Sequence, residues 1–226
     1  MSGDPIVRNA LSIGVATGVY AVSFGVLSVA AGFSVVQTCV MSLVCFTGAS
    51  QLTFASVIGA GGGVAGALGP ALLLAGRNAL YAFSLKGVLG GTVSRRALRA
   101  QVVVDETTAM AHAQPTLAAK RRAFDLTALC LFTAWNLGTL VGALAGRGLG
   151  NPRDYGLDAM FPAVFLALLA PQLRGPDAVR AALAGVLVAL ALVPVSPAGV
   201  PIIASALGAV PVLLTARARR AKAVRV

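Results

Sequence analysis

The chain has 226 residues, 58% of them hydrophobic and only 11% charged, with a mean hydropathy of +0.87 and a formal net charge of +11. A soluble domain carries roughly 25% charged residues, so this chain could not cover its own surface in water; lipid, where charge is the costly component, is the solvent that fits it. The basic excess does not point to nucleic acid, because Lys and Arg gather in short segments between apolar runs. A single histidine (His112) and three dispersed cysteines (Cys39, Cys45, Cys130) exclude a His-ligated metal cluster and CxxC chemistry.

In chain order, the first apolar run extends from Ala10 to about Gly32. It exceeds the roughly 7–15-residue core of a signal peptide and reads as a retained span. The second span is expected over Val35 to about Ile58, followed by the glycine-rich turn Gly59–Gly63. The third covers Val64 to about Leu85, interrupted by Arg77 and Asn78. The segment Lys86–Arg122 holds seven basic residues and is too polar for an ordinary span. A helix is expected there, lying at the interface or dipping into the protein. The fourth span covers Phe124 to about Ala145, the fifth Leu157–Leu173, the sixth Val179–Val193 and the seventh Pro201–Thr215. The last two are short enough to be tilted or re-entrant. The expected fold is therefore all-α: a polytopic membrane helical bundle of about seven transmembrane helices with some broken or re-entrant segments. It forms one domain over 1–226, with a basic tail from 216 to 226 that has anionic lipid as its natural partner.

Charge placement sets the expected orientation. Under seven spans, fourteen basic residues fall on one side and three (Arg8, Arg147, Arg153) on the other. The C-terminus is then cytoplasmic. An odd count of crossings places the N-terminus outside, although Arg8 speaks against that.

Four constellations could carry chemistry. FTGASQL, Phe46–Leu52, puts Gly48, Ala49, Ser50 and Gln51 inside the second span. Small residues there serve either as a helix-packing face or as a break whose exposed backbone N–H and C=O groups bind an amino acid's charged ends. Arg77, with Asn78 beside it and Tyr81 one turn on, lies about 12 Å of helical rise before Leu85. That distance is long for snorkelling and favours a paired, interior role. Asp105 and Glu106 are the only acids between Asp4 and Asp125. They read as interfacial caps, as partners for Arg77, or as proton-exchanging groups. Trp135 and Asn136 sit mid-span, fitting helix packing and an interhelical hydrogen bond more simply than a binding role. Walker A, GxSxG and HExxH patterns are absent, so neither direct ATP use nor enzymatic catalysis is indicated, and no cofactor is implied.

These residues carry a resemblance. GFSVVQTCVMSLVCFTGASQL (Gly32–Leu52), RNALYAFSL (Arg77–Leu85), DETTAMA (Asp105–Ala111) and GLDAMFPAVFLALLAPQLR (Gly156–Arg174) together resemble the AzlC family of branched-chain amino acid exporters, in order, from about Gly14 to about Leu214. The resemblance implies a multi-pass plasma-membrane protein of bacterial type that exports branched-chain and related hydrophobic amino acids, with methionine among them. It also implies a small AzlD-like membrane partner. Gly48–Gln51, Arg77 with Tyr81, and Asp105–Thr107 match the family's motif positions. Ala75, Asn78 and Thr108 depart from its usual asparagine, histidine and phenylalanine. Proton coupling through Asp105 or Glu106 is the expected drive. A carrier of another small solute, a channel, and a scaffold whose partner forms the pathway are the alternative readings.

Overall fold

The computed structural model describes residues 4–148, 166, 169–170, 173–197 and 199–223. Among these residues the protein is entirely helical. We number nine helices: α1 (Pro5–Ala30), α2 (Val35–Val44), α3 (Ala49–Gly59), α4 (Val64–Ser84), α5 (Val93–Gln101), α6 (Asp105–His112), α7 (Leu117–Gly148), α8 (Pro176–Leu192) and α9 (Val200–Ala223). By length and apolarity alone, α1 and α7 qualify as membrane spans. The expected fifth span falls almost wholly outside the described residues.

Local chemistry sets the helix starts. Asp4 caps α1 by accepting from the Ile6 amide at 2.9 Å, with Pro5 at the first helical position. Ser34 and Gln37 form a reciprocal cap at the start of α2 (3.1 and 2.8 Å), and Thr92 caps α5.

The centre of the bundle is the pair α1 and α7, which lie backbone to backbone. Gly14 faces Cys130 and Gly18 faces Ala134, while Gly142 and Gly146 face Val22 and Val26. The pairs advance together, so the two helices run parallel. A β-carbon on Gly142 would overlap the Val22 carbonyl oxygen, and one on Gly138 would overlap that of Gly18. Small residues repeated every fourth position permit this approach, which replaces hydrophobic burial as the source of helix association in lipid. Phe24, Leu27, Phe46, Leu52, Leu131 and Trp135 fill the core around this pair.

The expected second span is not a crossing helix. It breaks after Val44, and α3 returns to the end of the bundle from which α2 entered. Gly59, at the end of α3, packs on Ala31, at the end of α1, and Phe54 meets Phe33 at 6.1 Å between ring centroids. The Lys86–Arg122 segment does dip into the protein, as a second hairpin from the opposite end. There α5 leads in beside α4 and α6 leads out, returning to Ser84 through a 3.1 Å contact with His112. The two hairpins meet tip to tip, where the Gln101 side-chain amide donates to the carbonyls of Leu43 and Val44.

One helix followed by one hairpin therefore occurs twice, in opposite directions: α1 with α2–α3, then α4 with α5–α6. The returning helices share a device. Gln51 accepts from the Gly48 amide at 3.2 Å and donates to Met41 O at 2.8 Å. Thr107 accepts from the Val104 amide at 3.0 Å and donates to Val102 O at 2.9 Å. In each unit the third helical residue ties its own helix start to the chain that leads into the break. Inverted units of this kind are a recurrent plan of secondary transporters.

The fold-back also corrects the expected placement of the N-terminus. Asp4 pairs with Arg122 at 2.6 Å, so the start of α1 lies at the same end as the Lys86–Arg122 segment. Val35–Ile58 turns back, so it adds no crossing between the N-terminus and that segment. The start of α9 lies at the other end, where Gly199 meets Gly66 and Ile203 meets Gly69, so α9 runs alongside α4. α8 packs against α9, with Gly185 on Ser205 and Val188 on Gly208.

Candidate functional site

Both hairpins break at mid-depth, level with the middle of α1, and a cavity of about 450 Å³ lies there. That volume is within the roughly 300–1,000 Å³ usual for small-molecule sites. One wall is α1 at Ala16, Thr17 and Tyr20; the opposite walls are Phe46–Ala49 at the first break, Arg77 on α4, Val104–Glu106 at the second break, and Leu131 and Trp135 on α7.

The first break is built by Gly48, whose φ of +59° favours a residue without a β-carbon. Trp135 closes against it, with its ring edge 3.8 Å from the place a Gly48 side chain would begin. Leu52 is the first amide of α3 to find an acceptor in register, Gly48 O at 3.1 Å, so the start of α3 presents backbone amides and the positive end of its dipole at cavity depth.

Arg77 reaches from α4 to Asp105 at the start of α6, Nη2 to Oδ2 2.8 Å, each side chain about two-fifths exposed (41% and 43%). Asp105 also stands in the first turn of α6, where a carboxylate complements the helix dipole. Tyr81 directs its hydroxyl to the same carboxylate. Glu106 lines the cavity beside this pair and joins no ion pair among the described residues.

An aromatic shell forms the apolar part. Trp135 is 2% exposed and lies 5.8 Å from Tyr20, 5.9 Å from Phe24 in a stacked arrangement, and 6.3 Å from Phe46 edge-on. The Tyr20 hydroxyl and the Trp135 indole N–H are buried without a protein partner. Buried polar atoms normally find one, so two unspent hydrogen-bonding groups stand on the wall of a cavity.

The structure gathers six of the sequence-derived residues on this cavity: Gly48, Ala49, Arg77, Asp105, Glu106 and Trp135. Ser50, Gln51, Asn78, Tyr81 and Asn136 do not line it. Ser50 accepts from Thr47, Gln51 braces the break, and Asn136 donates to Phe132 O within its own helix at 2.8 Å. These are shaping roles. Sequence reasoning missed Thr17, Tyr20 and Thr47. A tyrosine and a threonine inside the first apolar run were the available signal, polar groups at a depth where each needs a partner. Among the described residues no cluster of His, Cys, Asp and Glu could hold a metal ion.

A second arginine anchors the α5–α6 hairpin. Arg99 makes a two-point contact with Asp125 on α7 and donates to the carbonyls of Val88 and Gly90.

The family model described as "AzlC protein" matches residues 12–149, which include most of α1, both hairpins, α4 and α7. The chain is 29% identical over 182 residues to the Inner membrane protein YgaZ of Escherichia coli (strain K12), covering 76% of this chain and 74% of that one. It is 35% identical over 190 residues to an Uncharacterized membrane protein of Archaeoglobus fulgidus, covering 83% of each. No solved structure matches. The helical bundle, the apolar surface and these relatives agree: the chain belongs to the AzlC family of membrane proteins.

Proposed function

We propose that this chain is the large subunit of a secondary transporter that exports branched-chain and related hydrophobic amino acids, leucine, isoleucine, valine and methionine. The observation that carries this reading is the mid-depth cavity itself: a helix start for an anion, a carboxylate without an ion-pair partner among the described residues for a cation, and an apolar, aromatic remainder. A zwitterion with an aliphatic side chain has those three parts. The two hairpins give the site separate supports reaching in from the two ends, which suits alternating exposure. Export is driven by protons rather than ATP, and a small AzlD-like membrane protein completes the transporter.

In this reading the protein lies in the plasma membrane with its basic end in the cytoplasm. Lys86, Arg95, Arg96 and Lys120 support that side by the positive-inside preference. Both termini then face the cytoplasm, and the basic tail lies against anionic lipid. A reporter active only in the cytosol should work at either terminus; an exported phosphatase active after Val226 overturns the orientation.

Efflux of loaded leucine, valine and methionine from cells carrying this gene with its small partner tests the substrate. Faster loss than in cells lacking both is expected, and unchanged retention of all three sinks the proposal. Vesicles holding this chain alone, then both chains, show which of the two forms the pathway. A panel of other small solutes separates amino-acid export from a broader or different cargo.

A further inference from the structure

We infer that Glu106 is the group that holds the substrate's ammonium and exchanges it for a proton, while Asp105 remains bound to Arg77 throughout. This rests on the amino-acid reading above and deepens it.

The two carboxylates are adjacent in sequence but differently engaged. Asp105 is neutralised by Arg77 at 2.8 Å and faces the Tyr81 hydroxyl. Glu106 lines the cavity with no ion pair among the described residues. One guanidinium and two carboxyl groups thus stand on the cavity, and the carboxyl left without a counter-charge is that of Glu106. At membrane depth such a charge needs a counter-charge or a proton.

The surroundings of Glu106 select what that counter-charge is. The groups facing it from packed elements are Tyr20 on α1, Arg77 and Tyr81 on α4, and Asp105 on its own helix; the α7 wall contributes Trp135, which does not titrate. Arg77 is already committed. Tyr20 and Trp135 line the cavity, and aromatic rings attract an ammonium ion. The buried, unpaired Trp135 N–H is left to donate to a ligand's acceptor. Across the cavity the start of α3 receives the carboxylate end of the same molecule.

One carboxylate cannot bind an ammonium and a proton together. With leucine bound, Glu106 is ionised; with the site empty of substrate, a proton takes the place of the ammonium. Outward passage loaded and inward return protonated moves one proton in for each amino acid out. The loaded site carries one net negative charge and the protonated site none, so each cycle also carries one positive charge inward. Both components of a proton gradient then drive export.

The test uses the full-length protein, purified, with leucine as the probe. In weakly buffered solution with a pH indicator, leucine binding should release up to one proton per molecule bound. Its affinity should fall about tenfold per pH unit on the acid side of the Glu106 titration, as linkage of one proton requires. Glu106→Gln should abolish proton release and weaken leucine at least tenfold at alkaline pH, while Glu106→Asp should keep the release. The carboxylic acid that is leucine without its amino group should release no proton from the wild type. Leucine binding Glu106→Gln with wild-type affinity, or releasing protons from it, overturns this assignment and leaves the transport reading standing. Wild-type protein that neither binds nor moves any aliphatic amino acid overturns both.

Discussion

The carbonyl of Val22 occupies the space that a side chain on Gly142 would need. The parallel pair α1 and α7 thus depends on the absence of β-carbons along Gly138, Gly142 and Gly146. Gly142→Val forces the backbones apart and should destabilise the protein by about 1–3 kcal/mol, the usual range for overpacking. A lower thermal midpoint in detergent checks this. Gly76, in the middle of α4, faces open space, with nothing within 4 Å of where its β-carbon would stand. Gly76→Ala should therefore be neutral or stabilising by about 0.5–1 kcal/mol through helix entropy. Equal losses at both positions would contradict the packing described.

Arg77 and Asp105 make a second coupled pair. Removing one charge leaves the other unmatched at depth, which costs about 3–5 kcal/mol in a fully buried pair. With both side chains about two-fifths exposed, roughly 1–3 kcal/mol is expected here. Arg77→Gln and Asp105→Asn should each lower the yield of folded, inserted protein, and the double variant should recover part of it. Additive losses in the double variant would show that the ion pair is not the connection between α4 and α6.

The braces at the two breaks give a third prediction. Gln51→Ala and Thr107→Ala should each cost about 1 kcal/mol, as loss of a cap does. Each should also slow amino-acid efflux by about tenfold or more, because Gly48 and Val104 shape the cavity wall and a misplacement of about 1 Å is costly. Gln37→Ala removes a similar cap at the end of the bundle and should leave the efflux rate near wild type. Stability by thermal melt and efflux from the same preparations separate the two effects. Normal efflux in the Gln51 and Thr107 variants would show that the breaks need no brace.

Much of the site was legible as interruption. Arg77 in an apolar run, a Gly-Ala-Ser stretch in another, and two acids after Val102–Val104 each stand where lipid-facing sequence would not place them. Their roles were less legible. Ser50 and Gln51 look like ligands beside Gly48 because all three share one motif, yet the hydroxyl and the amide are turned to Thr47 and to the backbone. Asn136, next to Trp135, points along its own helix to Phe132 O. Neighbours in a helix differ by about 100° in direction, so adjacency in a motif does not place side chains on one wall.

Composition by itself determined the solvent of this protein, and the clustered charges marked one end of the bundle, because hydropathy reports the depth at which a residue is stable. It could not report the direction of the chain. Val35–Ile58 is equally apolar whether it crosses or turns back at Gly48, so only the contact of Gly59 with Ala31 decided the fold-back and, with the Asp4–Arg122 pair, the side on which the N-terminus lies. In the same way Asp105 and Glu106 were equivalent as letters. The position of α4 against α6 distinguished them, by bringing Arg77 to Asp105 and leaving Glu106 to the cavity.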